Sequence, residues 1–91
     1  MYLVVGLGNP GKEYDGTRHN LGFEVISEIK RRLEVEMPFK QNLKSMIGKA
    51  CLDSKDLIIA MPQTFMNDSG YAVKQIKDKY NIDIKKIITI Y

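Results

Sequence analysis

Residues 2–33 read YLVVGLGNPGKEYDGTRHNLGFEVISEIKRRL, and they decide the fold. Tyr2 to Gly6 is a short apolar run ended by glycine, the pattern of a buried strand. Gly8, Pro10, Gly11 and Gly16 then make a loop. From His19 onward, Gly22, Val25, Ile26, Ile29 and Leu33 recur at three- and four-residue spacing, with Glu24, Glu28, Lys30 and Arg31 elsewhere on the turn. That spacing predicts an amphipathic helix. A strand joined through a glycine loop to a helix opens an α/β fold.

The rest of the chain extends this reading. Pro38 and the polar stretch Lys40 to Lys44 break the helical pattern. Met46 to Leu52 alternates as a half-buried strand, whereas Leu57 to Met61 is a continuous apolar run suited to burial on both faces. The polar residues 53–56 between them predict a hairpin. Pro62 stops the second of these strands. Ala72, Val73, Ile76 and Tyr80 define another helix, starting near Asn67 or Asp68 and capped at Asn81. Lys85 to Tyr91 is a closing strand. The order strand, helix, strand, strand, helix, strand predicts a single α/β domain over residues 1–91, with some antiparallel pairing in its sheet. Ile87, Ile88 and Ile90 fill the closing strand without the charge or proline that usually guards a sheet edge. The chain is therefore expected to be the N-terminal part of a longer fold, with a risk of self-association through that strand.

Composition removes several functional classes. The chain has 91 residues, of which 44% are hydrophobic and 27% charged, an ordinary globular balance. No apolar stretch approaches the ~20 residues of a membrane span. Met1 to Gly11 lacks the basic start of a signal peptide, so the cytoplasm is the expected compartment. One cysteine, Cys51, leaves no internal disulfide framework, and one histidine, His19, argues against a histidine-based metal cluster. Cys51 is expected to be a packed thiol, and Met37, Met46 and Met61 core fillers. A net charge of +3 is compatible with a polyanionic partner without demanding one. The run Lys30-Arg31-Arg32 reads as a solvated helix end, where positive charge suits the helix dipole.

Three stretches can carry chemistry. Gly6, Gly8 and Gly11 satisfy the spacing of a dinucleotide-binding loop, but the helix starts too late to put its N-terminus against a phosphate, and Glu28 lies inside it. Thr17-Arg18-His19-Asn20 stands at the loop–helix junction. Histidine takes both proton states near neutrality, and Asn9, Tyr14 and Asn20 nearby can orient water, a carbonyl or a ribose hydroxyl without a metal. Pro62 to Asn67 follows an apolar strand, and ligands in open α/β sheets bind beyond the carboxyl ends of strands. If the first and third strands are parallel neighbours, their following loops share one rim, and Asn67 can face His19 and Asn9. Phe65 and Met66 would then supply an apolar or stacking surface.

Gly6-Leu7-Gly8-Asn9-Pro10-Gly11, Tyr14, Thr17-Arg18-His19-Asn20 with Gly22-Phe23, and then Pro62, Thr64-Phe65-Met66-Asn67 and Ser69-Gly70 resemble the two sequence blocks of bacterial peptidyl-tRNA hydrolases. The resemblance implies a mixed, largely parallel sheet packed between helices, with residues 1–91 forming the N-terminal portion of a three-layer α/β/α fold. It implies an esterase of translation that frees tRNA from peptidyl-tRNA, monomeric, cytoplasmic, and using neither metal nor cofactor. The expected partner is the tRNA 3′ end with its peptide, rather than DNA or a membrane. Residue by residue, His19 would be the general base and Asn9 and Asn67 would line the catalytic centre. Tyr14 would help receive the tRNA terminus, Met66 would touch substrate, and Asn20 would support the site. In that family an aspartate follows closely behind the strand corresponding to Lys85–Tyr91, and a later asparagine and much of the basic surface lie further on. Asp83 precedes the strand and does not take the aspartate's role. Without an acid to orient His19, the 91 residues alone are expected to show sharply reduced or no hydrolysis. Two other readings compete: a non-catalytic module that binds RNA ends, and a nucleotide-binding α/β module.

Overall fold

The structure, a computed structural model, describes residues 1–8, 21–64 and 68–90. Its elements in chain order are β1 (Tyr2–Gly6), α1 (Leu21–Leu33), β2 (Phe39–Lys40), a 3-10 turn (Gln41–Leu43), β3 (Ser45–Leu52) and β4 (Lys55–Pro62). They are followed by α2 (Ser69–Tyr80), a second 3-10 turn (Ile84–Lys86) and β5 (Ile87–Ile90). The five strands form one mixed sheet in the order β2-β3-β4-β1-β5. β1 runs parallel to β4, with Val5 opposite Ala60, and parallel to β5, with Gly6 opposite Ile90. The β2–β3 and β3–β4 ladders are antiparallel.

Strand alternation sorts the core into two layers. Leu3, Val5, Ile47, Ile58 and Ala60 pack with Ile76 of α2 and with Leu43 and Ile82. On the opposite face, Ile59, Val4, Met46, Ala50 and Met61 pack with Ile26, Ile29 and Leu33 of α1 and with Met37. One helix thus covers each face, giving an α/β/α sandwich. β4 is buried on both sides, as its unbroken apolar run predicts: Ile58, Ile59 and Ala60 are each 0% exposed. The three methionines expected in the core all lie in the α1 layer.

Local chemistry sets the ends of the elements. α1 closes with Arg31 and Arg32 solvent-exposed and both ion-paired to Glu28. Those guanidinium groups, Arg31 first, hold the Glu28 carboxyl below its ordinary range. α2 ends at Asn81 in the left-handed conformation (φ 53°), with the Ile82 N–H donating to the Lys77 carbonyl at 3.0 Å. Asparagine tolerates that geometry, and the buried Ile82 completes the hydrophobic half of the cap.

The structure departs from the sequence reading at several points. β2, which pairs Phe39 with Met46 and Lys40 with Ser45, was not foreseen, because two residues are too few to show a period. The hairpin connection is shorter than residues 53–56. Only Asp53 and Ser54 turn, at φ 50° and 65°, while Lys55 and Asp56 already belong to β4. Two consecutive positive φ values give the turn whose twist matches a hairpin. The closing strand begins at Ile87 rather than Lys85, since the Asp83 carboxylate accepts the Lys85 N–H (2.9 Å) and winds that segment into a 3-10 turn. Asp68 is the N-cap of α2, but its side chain makes no capping bond. Val25, expected on the buried face of α1, is 39% exposed; the stripe that meets the sheet runs through Gly22 and Ile26. Cys51 is exposed and free rather than packed. β2 pairs with only the first two residues of β3, and the Ile47 N–H next donates to the Pro38 carbonyl at 3.0 Å.

Candidate active site

Three parallel strands, β4, β1 and β5, end side by side at one rim of the sheet. From β1 the chain passes through Leu7 and Gly8 and returns in α1, which lies on one face. From neighbouring β4 it passes through Gln63 and Thr64 and returns in α2, which lies on the other. Adjacent strands whose connections diverge to opposite faces leave a crevice between them, and this is where open α/β sheets bind ligands. The conditional expectation that the first and third strands are parallel neighbours is therefore met, and both loops depart from a shared rim.

All six residues singled out from the sequence belong to those two departures. Asn9, Tyr14, His19 and Asn20 fall between Gly8 and Leu21, and Met66 and Asn67 between Thr64 and Asp68. They lie outside the described residues, as does Phe65.

The described frame of the crevice is tightly built. The Leu7 N–H donates to the Ile90 carbonyl at 2.8 Å, which extends the β1–β5 ladder past Gly6. On the β4 side, the Gln63 N–H donates to the Lys44 carbonyl at 2.8 Å and its side-chain amide to the Met61 carbonyl at 3.2 Å. Thr64 Oγ1 is buried and has no hydrogen-bond partner among the described residues. A buried hydroxyl normally finds one, so Thr64 is a feature of the rim that its place in the sequence block did not single out.

Two glycines have a packing role that the sequence reading does not assign them, although Gly6 stands in the glycine loop and the first family block and Gly22 in the helical stripe and the same block. A Cβ on Gly22 would overlap the carbonyl oxygens of Leu7 and Ile90 and come 2.5 Å from the Leu7 nitrogen. A Cβ on Gly6 would overlap the Gly22 carbonyl oxygen and come 2.8 Å from its carbonyl carbon. The signal available in sequence was a glycine at each end of one loop.

Among the described residues, no group of three His, Cys, Asp or Glu side chains is placed to hold a metal. No helix among them is long and apolar enough to cross a membrane. A groove of about 820 Å³ lies at the other end of the sheet, lined by Leu33, Val35, Lys49, Cys51 and Tyr80 among others. The segments that carry the sequence-predicted residues depart from the opposite rim, which is therefore the stronger candidate.

An α/β/α sandwich with a crevice between diverging loops defines a class of ligand-binding and catalytic domains, and comparison with known proteins narrows it. The family model described as peptidyl-tRNA hydrolase matches residues 3–91, and the chain belongs to that family. It is 42% identical over 91 residues to a peptidyl-tRNA hydrolase of Halalkalibacterium halodurans, covering 100% of this chain and 49% of that protein. It is 47% identical over 89 residues to the Aquifex aeolicus protein of the same name, covering 98% of this chain and 46% of that protein. The crystal structure of peptidyl-tRNA hydrolase from Acinetobacter baumannii superposes with a TM-score of 0.92 at 31% identity, over 98% of this chain and 45% of that one. The chain thus spans about half the length of the curated relatives it matches.

Proposed function

We propose that this chain carries the catalytic base and part of the substrate-binding surface of a peptidyl-tRNA hydrolase. The observation that supports this most is the crevice between β1 and β4, from whose two walls both family sequence blocks depart. His19 takes a proton from water, and the resulting hydroxide attacks the ester carbonyl carbon. The amide N–H groups of Asn9 and Asn67 donate to the oxygen on which charge develops. The bond from that carbon to the ribose oxygen then breaks, and the histidinium returns its proton to the leaving oxygen. The products are a tRNA with a free terminal hydroxyl and a peptide carboxylic acid, which releases its proton to solvent and leaves as the carboxylate. Tyr14 receives the tRNA 3′ end, Met66 contacts the substrate and Asn20 supports His19. The ribose 2′-hydroxyl distinguishes this partner from DNA. The setting would be translation in the cytoplasm, with a monomeric protein recycling tRNA.

Because the chain spans about half of its relatives, the proposal includes a rate well below that of a full-length relative. The test is hydrolysis of one peptidyl-tRNA by the 91-residue chain and by the Aquifex aeolicus relative side by side. A slow rate for a chain shown to be folded by circular dichroism is expected. A rate equal to the relative's would overturn the need for anything beyond these residues. Salt-sensitive binding of the tRNA terminus with no cleavage would favour the non-catalytic reading instead.

A further inference from the structure

We infer that the groove beside β3 is a second ligand site, one that takes a short single-stranded RNA by its phosphates. It is separate from the crevice between β1 and β4 and stands whether or not hydrolysis occurs there. The pleat of the sheet sorts its charges. Lys49 follows Ile47 by two residues on β3, so both belong to the face that α2 covers. Lys40 of β2 pairs with Ser45, which shares that face. Lys79 arrives from the last turn of α2. All three lysines line the groove, whose volume of about 820 Å³ is that of a ligand site. Glu34 and Glu36 line it too, but their segment packs on the other face, through Val35 and Met37 in the α1 layer. The lysines thus stand on the α2 side, and the glutamates enter from the α1 side.

Two of the lysines converge on one aromatic ring. The Lys49 and Lys79 Nζ atoms lie 5.6 and 5.9 Å from the centre of the Tyr80 ring. None of the three lysines has a carboxylate partner among the described residues. Two unpaired ammonium groups drawn to one ring repel each other, and an anion seated between them relieves that repulsion. Tyr80 is half-buried against the α2 layer, which fixes its ring and leaves part of it open. Cations for the backbone and a fixed ring for a base are the two parts of a single-strand site. Ser45, the partner of Lys40, precedes Lys49 by four residues, about 14 Å along the strand. Cations spread over that length suit successive phosphates of one strand better than a single anion.

The probe is a fluorescein-labelled uridine hexamer, which carries no peptide ester. Its anisotropy over a range of salt compares the 91-residue chain with Lys49→Ala, Lys79→Ala, Tyr80→Leu and Lys86→Ala, each checked for folding by circular dichroism. Lys86 is the control. With Lys55 it flanks the Tyr2 ring at 5.6 and 5.9 Å, yet neither lines the groove. The parent is expected to bind with log Kd rising by about 2 per tenfold increase in salt, from three phosphate contacts at ~0.7 each. Lys49→Ala and Lys79→Ala should each lower that slope by ~0.7 and weaken binding about 5-fold at 0.1 M salt. Tyr80→Leu should weaken it by about 5-fold or more with the slope unchanged. Lys86→Ala should bind within about 2-fold of the parent, since it removes the same charge outside the groove. Equal weakening by Lys86→Ala and Lys49→Ala would reduce the effect to net charge and overturn the site. No binding by the parent would also overturn it, and so would competition by uridine monophosphate or hexaglutamate as strong as that of unlabelled hexamer. Should Tyr80→Leu not fold, the lysine variants decide. Failure of the hydrolase reading shows elsewhere, as peptidyl-tRNA cleavage indifferent to His19→Ala.

Discussion

Ser54 shows how a residue can be legible in kind and not in geometry. Asp53 and Ser54 were readable as turn formers, but the number of residues in the turn is set by the ladder, which pairs Leu52 directly with Lys55. Ser54 consequently sits at φ 65°, a conformation that costs a residue with a Cβ roughly 1–2 kcal/mol. Ser54→Gly is expected to raise stability by about 1 kcal/mol, read as a higher midpoint in urea unfolding. Cys51 was misjudged for a related reason. Its neighbours Ala50 and Leu52 suggest a packed strand, whereas Cys51 pairs with Asp56 beside the exposed hairpin turn. His19, Asn9 and Asn67 are marked by the sequence motifs alone and lie outside the described residues.

At the scale of elements, the long periodic segments were the readable ones. β1, α1, β3, β4 and α2 each span five or more residues, whereas β2 and both 3-10 turns span two or three, too few to show a period. α1 holds its layer through one fully buried side chain, Ile26. Ile26→Ala is expected to cost about 2–5 kcal/mol, the range for deleting a buried branched side chain, and chemical denaturation measures it. At its far end, the Glu28 carboxyl is lowered from 4.5 by Arg31 and then Arg32. A lowered folded-state value means the pair contributes above the unfolded value and is lost as pH falls through the folded one. The contribution is small because the pair is exposed. Glu28→Gln should lower the melting temperature slightly at neutral pH, and the difference from the parent should shrink as pH falls below 4.5 and through the lowered folded-state value.

For the whole molecule, strand order was not readable from the chain, since it depends on which apolar runs meet across the sheet. The parallel β4–β1–β5 arrangement supplies what the residues alone left conditional, the common rim. It also leaves β5 at the edge, with Ile88 52% exposed on it and Ile84 71% exposed beside it. A bare apolar edge invites pairing with another copy. Sedimentation velocity is expected to show concentration-dependent association of the parent chain, reduced in Ile88→Lys. A purely monomeric parent at high concentration would remove that expectation. The central proposal, that His19 is the base for ester hydrolysis, is tested most directly by single-turnover hydrolysis of a peptidyl-tRNA with protein in excess. The parent chain and His19→Ala are compared, both checked for folding. The account predicts slow cleavage by the parent that falls by about 100-fold or more without His19, the lower end of what a positioned base contributes. Cleavage by folded His19→Ala at the parent's rate would contradict it.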